Sequence, residues 1–192
     1  MDKMNILAII VRKMDGGLEL VGKRGSELPP EQLCPQIMLA SFYVCPPPYT
    51  ASVNIPGLNM YLVLEGKMRF NCSDGTTGVA SGNDLVTFYA GVNGYEVVSR
   101  TPLSIYQVVF YPAHPPLAQS IPSIPGLGKL PHLVDVGKVI PQCIEAFERM
   151  IEALLRLDVT WRFETSSAIL DLLKLTFSAL LSLLHNPILT SE

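Results

Sequence analysis

The stretch LNMYLVLEGKMRFNCSDGTTGVASGNDLVTFYAGVNGYEVV, Leu58–Val98, decides how this chain folds. Its β-prone runs, Met60–Leu64, Lys67–Cys72, Leu85–Tyr89 and Tyr95–Ser99, are punctuated by Asp74-Gly75, Gly82-Asn83 and Asn93-Gly94. Gly, Asn and Asp tolerate the backbone angles of tight turns, so the pattern predicts short strands folded back on one another. The rhythm continues outward, where Asp15-Gly16-Gly17, Pro46-Pro47-Pro48 and Ile55-Pro56-Gly57 punctuate a stretch holding Ile6–Val11, Leu18–Val21 and Gln36–Val44, and Ser104–Tyr111 closes the series. Eight such runs before Pro112 predict a closed all-β body.

At Pro112 the composition changes. YPAHPPLAQSIPSIPGLGKLP, residues 111–131, is rich in Pro, Ser and Gly and reads as a connector wrapped over the barrel, unable to continue a sheet ladder. Beyond it, Ile144, Phe147, Ile151, Leu154 and Leu155 recur at helical spacing, and Pro141 suits a first helical turn, which predicts a helix over Pro141–Leu157. Asp158 falls in the break before a second helix, Arg162–His185. There Leu170, Leu173, Phe177, Leu180, Leu181 and Leu184 cover one wide face, and Ile169, Leu172, Leu175, Ala179 and Leu183 extend it. So broad an apolar surface predicts that one side packs within the chain and the other against a second copy, a homodimer. The expected organisation is a β-barrel domain over residues 1–111, a connector over 112–139, a helical hairpin over 140–186 and the start of a linker over 187–192.

The 192 residues suffice for one well-buried domain with an appendage. With 48% hydrophobic and 16% charged residues, the chain carries more apolar side chains than a monomer of this size easily hides. A net charge of −3 with scattered basic residues leaves no electrostatic footprint for gripping phosphates, so this part of the chain is not expected to bind nucleic acid by itself. The cysteines, at 34, 45, 72 and 143, form no C-x-x-C pair, and no signal peptide precedes them; reduced thiols and a cytoplasmic location are expected. Ala168–Leu184 is apolar but interrupted by Asp171 and Lys174, which argues for an interface helix and no membrane span. No P-loop, Rossmann fingerprint or G-x-S-x-G elbow occurs, and Gly126-Leu127-Gly128 lies in the connector.

The Leu58–Val98 stretch resembles the paired motifs of the cupin superfamily, and is most similar to the effector-sensing and dimerisation domains of AraC-type transcription regulators. The resemblance implies a cupin-like barrel (double-stranded β-helix, or jelly roll) followed by an antiparallel two-helix hairpin, and it covers most of residues 36–185. In the first motif Asn59 stands where an acidic ligand is usual, before Gly66 in YLVLEG; its two histidine positions fall near Ser52 and Asn54. In the second motif Asn83, Tyr89, Gly91 and Gly94 occupy the positions of a glycine, a proline, a glycine and a histidine. Asn tolerates the positive φ that the first of these needs. The chain's histidines, His114, His132 and His185, all lie outside the predicted strands. Hydroxyl and amide groups do not hold a transition metal tightly and the cysteines are assigned no chemistry, so neither a metal nor another cofactor is expected, and the chain is not expected to be an enzyme.

Carrying the motif positions onto the strands places Asn59 on one face with Tyr61 and Val63, Gly94 with Glu96 and Val98, and Gln107 between Ile105 and Val109. The implied pocket has apolar walls with hooks from Ser52, Asn54, Asn59, Tyr61, Glu96 and Gln107, a makeup suited to a small-molecule effector such as a carbohydrate. Glu96, if buried, needs a ligand or an arginine partner. Met1–Leu33 reads equally as an arm over the pocket or as an ordinary hairpin. The resemblance implies a sensing and pairing domain whose DNA-binding helix-turn-helix region would follow HNPILTSE; the alternative is a small metal-independent isomerase or epimerase using Glu96 or Tyr61 as acid or base.

Overall fold

A computed structural model describes residues 27–28, 35–55, 57–112, 121–124, 128–156 and 158–185. In chain order these form strands β1 (Glu27–Leu28), β2 (Gln36–Cys45), β3 (Thr50–Ile55), β4 (Leu58–Glu65), β5 (Lys67–Asn71) and β6 (Thr77–Ser81). Next come β7 (Asp84–Phe88), β8 (Gly91–Val97), β9 (Leu103–Tyr111), β10 (Ile121–Ile124), β11 (Gly128–Lys129) and β12 (Leu133–Asp135). Helices α1 (Ile140–Arg156) and α2 (Trp161–His185) complete the described chain.

Strands β2 to β9 are dealt between two sheets, a five-stranded one in the order β12-β7-β4-β9-β2 and a four-stranded one in the order β3-β8-β5-β6. All pairings in them are antiparallel. Without β12, this dealing of consecutive strands is that of a double-stranded β-helix, the jelly-roll barrel of cupins. The crossing from β4 to β5 is made at Gly66, with φ +83°, where a Cβ would sit 2.7 Å from the Pro102 carbonyl oxygen. The crossing into β7 is made at Asn83, the described non-glycine residue with positive φ (+80°), as its place in the motif predicts.

Strand β4 is buried on both faces. Leu58, Met60 and Leu62 point away from the barrel, into a core with Leu85, Val108 and Phe110 on one side and Cys143, Phe147, Met150, Ile169 and Leu172 of the helices on the other. Asn59, Tyr61 and Val63 point into the barrel, and all six residues are at most 3% exposed. The buried side of α1 is Cys143, Ala146, Phe147, Met150 and Ala153. It is rotated slightly from the predicted stripe because small residues let the helix approach its neighbours closely; Ile144, Ile151 and Leu154 flank it and Leu155 is exposed. Tyr106 stacks on Phe147 at 5.5 Å, tying β9 to α1. Helices α1 and α2 are joined across a turn in which Asp158 accepts from the Thr160 amide at 2.8 Å, and Arg149 pairs with Asp171 at 2.8 Å.

Three expectations are corrected. The connector is not free of sheet structure: Leu133–Asp135, which contains no proline, pairs with β7 at the edge of the five-stranded sheet, and β10 lies between β1 and β11 in a small third sheet. Strands β3 and β6 escaped the sequence reading, because they are short and flanked by turns. Of the interface residues predicted on α2, Leu173 is 1% exposed and belongs to the helix–sheet core, and Phe177 packs against that core. Leu180 is half-buried, Leu170 is 40% exposed and Leu181 is 39% exposed, while the Leu184 side chain lies outside the described residues. Apart from Glu27–Leu28, the N-terminal arm or hairpin also lies outside them. Helix α2 is long and apolar enough to cross a membrane, yet its Ala168, Ile169, Leu172 and Leu173 are consumed in the core.

Phe147 is fully buried between α1 and the sheet, so Phe147→Ala is expected to cost about 3–5 kcal/mol in chemical denaturation. At Asn83, glycine is expected to be tolerated within about 1 kcal/mol while Asn83→Val is clearly destabilising, because a β-branched residue is strained at this φ.

Candidate functional site

The barrel interior is lined by residues of alternate parity from both sheets. Its apolar part is Val63, Val86, Phe88 and Ile105 from one sheet and Val53, Met68, Phe70, Tyr95 and Val97 from the other. Tyr61 meets Phe88 at 5.4 Å and Tyr95 at 5.5 Å, both edge to face, and Phe70 meets Phe88 at 6.1 Å, so aromatic rings fill much of the space.

Within this apolar lining lies one polar row. In the sheet register Gln107 of β9 stands opposite Ser41 of β2 on one side and Tyr61 of β4 on the other, which sets all three on the inner face. Asn59, two residues before Tyr61, joins them. The Gln107 amide donates to Asn59 Oδ1 at 3.0 Å and to the Tyr61 hydroxyl at 2.9 Å, and Asn59 Nδ2 donates to the same hydroxyl at 3.0 Å. All four residues are at most 5% exposed. Burial, partly offset by the Asn59 hydrogen bond, holds the Tyr61 phenol well above its usual pKa, so it stays protonated. Ser41 Oγ is fully buried and has no hydrogen-bond partner among the described residues. A buried hydroxyl left without a partner is costly, and this one stands beside three hydrogen-bonded polar groups.

Asn59, Tyr61 and Gln107 thus come together, and Ser41 joins them although the motif reading passed it over. Its signal was available: in Leu39-Ala40-Ser41-Phe42-Tyr43 it shares parity with Tyr43 and Cys45, both of which belong to or pack on the inner core.

Ser52, Asn54 and Glu96 do not belong to this interior. Ser52 and Asn54 are exposed on the outer face of the four-stranded sheet, with Ala51 and Val53 turned inward between them. Glu96 also lies outside, about half exposed, where it pairs with Arg69 of β5 directly across the ladder. Tyr95 and Val97 take the inner positions. The physical reason is the pleat: the apolar alternation Ala51–Val53 and Tyr95–Val97 sets the parity, and it is one residue out of step with the motif's histidine positions. As an exposed ion pair, Arg69–Glu96 contributes little to stability.

His132, placed by the sequence in the connector, lies at the start of β12 against Cys72 and Asp74. Cys45, Cys72 and Cys143 are buried free thiols, and burial raises Cys72 and Cys143 to about 11. His114 and the His185 side chain lie outside the described residues.

No family model matches the chain, and no curated protein matches it. Among solved structures it is similar to the cupin domain of Schizosaccharomyces pombe Cnp3, at 13% identity over 38% of this chain and 54% of that one, with a TM-score of 0.35. It is similar also to a predicted oxalate decarboxylase from Thermotoga maritima, at 19% identity over 38% of this chain and 66% of that one, TM-score 0.36. The Cupin_2 domain of an XRE family transcriptional regulator from Enterobacter cloacae matches at 14% identity over 42% of this chain and 98% of that one, TM-score 0.35. The chain therefore spans less than two thirds of the length of the first two. Regulator domains and enzymes both stand among these neighbours, and what they share with this chain is a β-barrel fold that its own strand order already displays.

Proposed function

We propose that the chain is a binding and assembly domain of an AraC-type regulator: the barrel holds a small polyhydroxylated effector, such as a carbohydrate, and the helical layer pairs two copies. The observation that carries the binding part is the buried row Ser41, Gln107, Tyr61 and Asn59 with its unpartnered Ser41 hydroxyl. Amide and hydroxyl groups donate and accept at several points at once, which suits a ligand with several hydroxyls, and Tyr61 and Tyr95 offer ring surfaces beside them. Binding is favoured over catalysis because the row contains no carboxylate or imidazole, Glu96 lies outside the barrel and the Tyr61 phenol stays protonated, which leaves the row without a general base. Pairing is supported by the apolar residues left on the outside of the helical layer: Phe163 at 80%, Leu170 at 40% and Leu183 at 48% exposure on α2, with Leu155 of α1 at 52% and Val159 of the intervening turn at 94%. DNA contacts would belong to a further region of the protein.

A thermal-shift screen of the chain against sugars and small organic acids tests the first part. A ligand at about a hundred times its Kd is expected to add about 2.7 kcal/mol of stability. Gln107→Leu is expected to abolish the shift while Glu96→Gln leaves it intact; a panel without any shift, or a shift indifferent to Gln107, overturns the barrel site. Sedimentation across a micromolar concentration series tests the second part. A dimer is expected, returned to monomer by Leu170→Glu or Phe163→Glu, and a strictly monomeric parent chain refutes the pairing.

A further inference from the structure

Three side chains distant in sequence converge where the turn after β5 meets the chain entering β12. The turn is held by the Cys72 amide donating to the Thr76 carbonyl at 2.8 Å and the Gly75 amide donating to the Cys72 carbonyl at 3.0 Å. Asp74 sits at its tip, with Oδ1 accepting from the Thr76 amide at 3.0 Å. His132 is held from β7, its carbonyl accepting from the Thr87 amide at 2.9 Å, and its ring stands edge to face with Tyr89 at 5.2 Å. The imidazole Nδ1 lies 2.7 Å from the Thr87 carbonyl oxygen and 3.1 Å from Cys72 Sγ; Nε2 lies 3.0 Å from Asp74 Oδ2. One ligand atom of each residue lies within 4.8 Å of the others.

Hydrogen-bond chemistry constrains what occupies this cluster. A backbone carbonyl only accepts, so Nδ1 carries the proton given to Thr87. In a neutral ring Nε2 then presents a lone pair, and it faces a carboxylate oxygen that also only accepts. Two lone pairs 3.0 Å apart repel unless a positive charge stands between or beside them. A proton on Nε2 supplies that charge as an imidazolium; a metal ion supplies it while leaving the ring neutral, and would draw in as a further ligand the Cys72 sulfur, which now lies 3.1 Å from the ring's other nitrogen. A ligating histidine commonly donates its other ring N–H to a backbone carbonyl, the bond that His132 makes to Thr87.

We propose that Cys72, Asp74 and His132 form a site for a divalent metal of the zinc class, bound through the thiolate, a carboxylate oxygen and imidazole Nε2, with water in the fourth position. Mixed sulfur, nitrogen and oxygen ligation selects such an ion over calcium or magnesium, which take oxygen ligands. Asp74 is 40% exposed and gives entry from solvent. Lys129, whose Nζ lies 3.4 Å from Asp74 Oδ2 and 5.0 Å above the Tyr89 ring, holds the neighbouring positive charge and is exposed enough to swing aside. A nucleophilic cysteine fits less well, because Nδ1, the nitrogen beside the sulfur, is committed to Thr87 and the thiol is buried. The site shares no residue with the polar row of the barrel and stands or falls independently of the effector reading.

The test is titration of the chelator-stripped, reduced chain with Co2+ as a spectroscopic surrogate for zinc. One equivalent is expected to produce a thiolate-to-cobalt charge-transfer absorption that Zn2+ removes by displacement. Cys72→Ser is expected to abolish the band, His132→Gln and Asp74→Asn to weaken binding at least about tenfold, and Cys143→Ser to leave it unchanged, each variant being checked for fold by circular dichroism. Absence of the band from the parent chain at excess Co2+ overturns the proposal without recourse to any variant. So does a band that persists in Cys72→Ser.

Discussion

Everything in this fold follows from the burial of the five-stranded sheet on both faces. An antiparallel sheet can leave one face to water, and its strands then alternate apolar and polar. Strand β4 does not: Leu58–Val63 is closed off from solvent on each side. Its outer residues require a second layer, and α1 and α2 supply it through Phe147, Met150, Ile169 and Leu172. The helices are therefore part of the folding unit rather than an appendage to a finished barrel, and much of the chain's apolar surplus is absorbed here rather than at an external interface.

The same constraint explains what could be read from the amino acids and what could not. Turn residues located the strand breaks, and the demand for positive φ at Asn83 followed from its place in a glycine position. Helix spacing gave α1 and α2 to within a residue or so. Facing was harder. In β4 both parities are buried, one toward the helices and one into the barrel; the motif's parity put Asn59 and Tyr61 on the barrel side, and Gln107 follows through its pairing with Tyr61. In β3 and β8 only one parity is buried, and the degenerate motif put Ser52, Asn54 and Glu96 on it. The plain alternation of Ala51 with Val53 and of Tyr95 with Val97 carried the better information, because apolar burial outweighs a motif whose ligands have been lost. Strand β12 was hidden by the prolines around it.

Cys72, Asp74 and His132 illustrate a different limit. His132 is 60 residues from Cys72, and nothing in local spacing links them. Their meeting is produced by register: β12 pairs with β7, which brings the backbone of His132 alongside Thr87 and its ring over the end of β5. The polar row and this cluster answer to opposite electrostatic demands. The row consists of neutral groups inside an apolar wall, three of which satisfy one another while the Ser41 hydroxyl is left over, whereas the cluster gathers an anion, a thiol and an imidazole at the barrel's rim, where Lys129 and solvent moderate the charge.

Strand β12 has one more consequence, for how the protein behaves among other chains. Without it, β7 would be the sheet's margin, and the backbone N–H and C=O groups of Leu85–Thr87 would offer a ready template for a foreign strand. Three residues of the connector occupy that margin, with Asp135 at its far end and the 3-10 turn leading at once into α1. The segment that ties the barrel to its helices thus also serves as a guard against edge-to-edge aggregation.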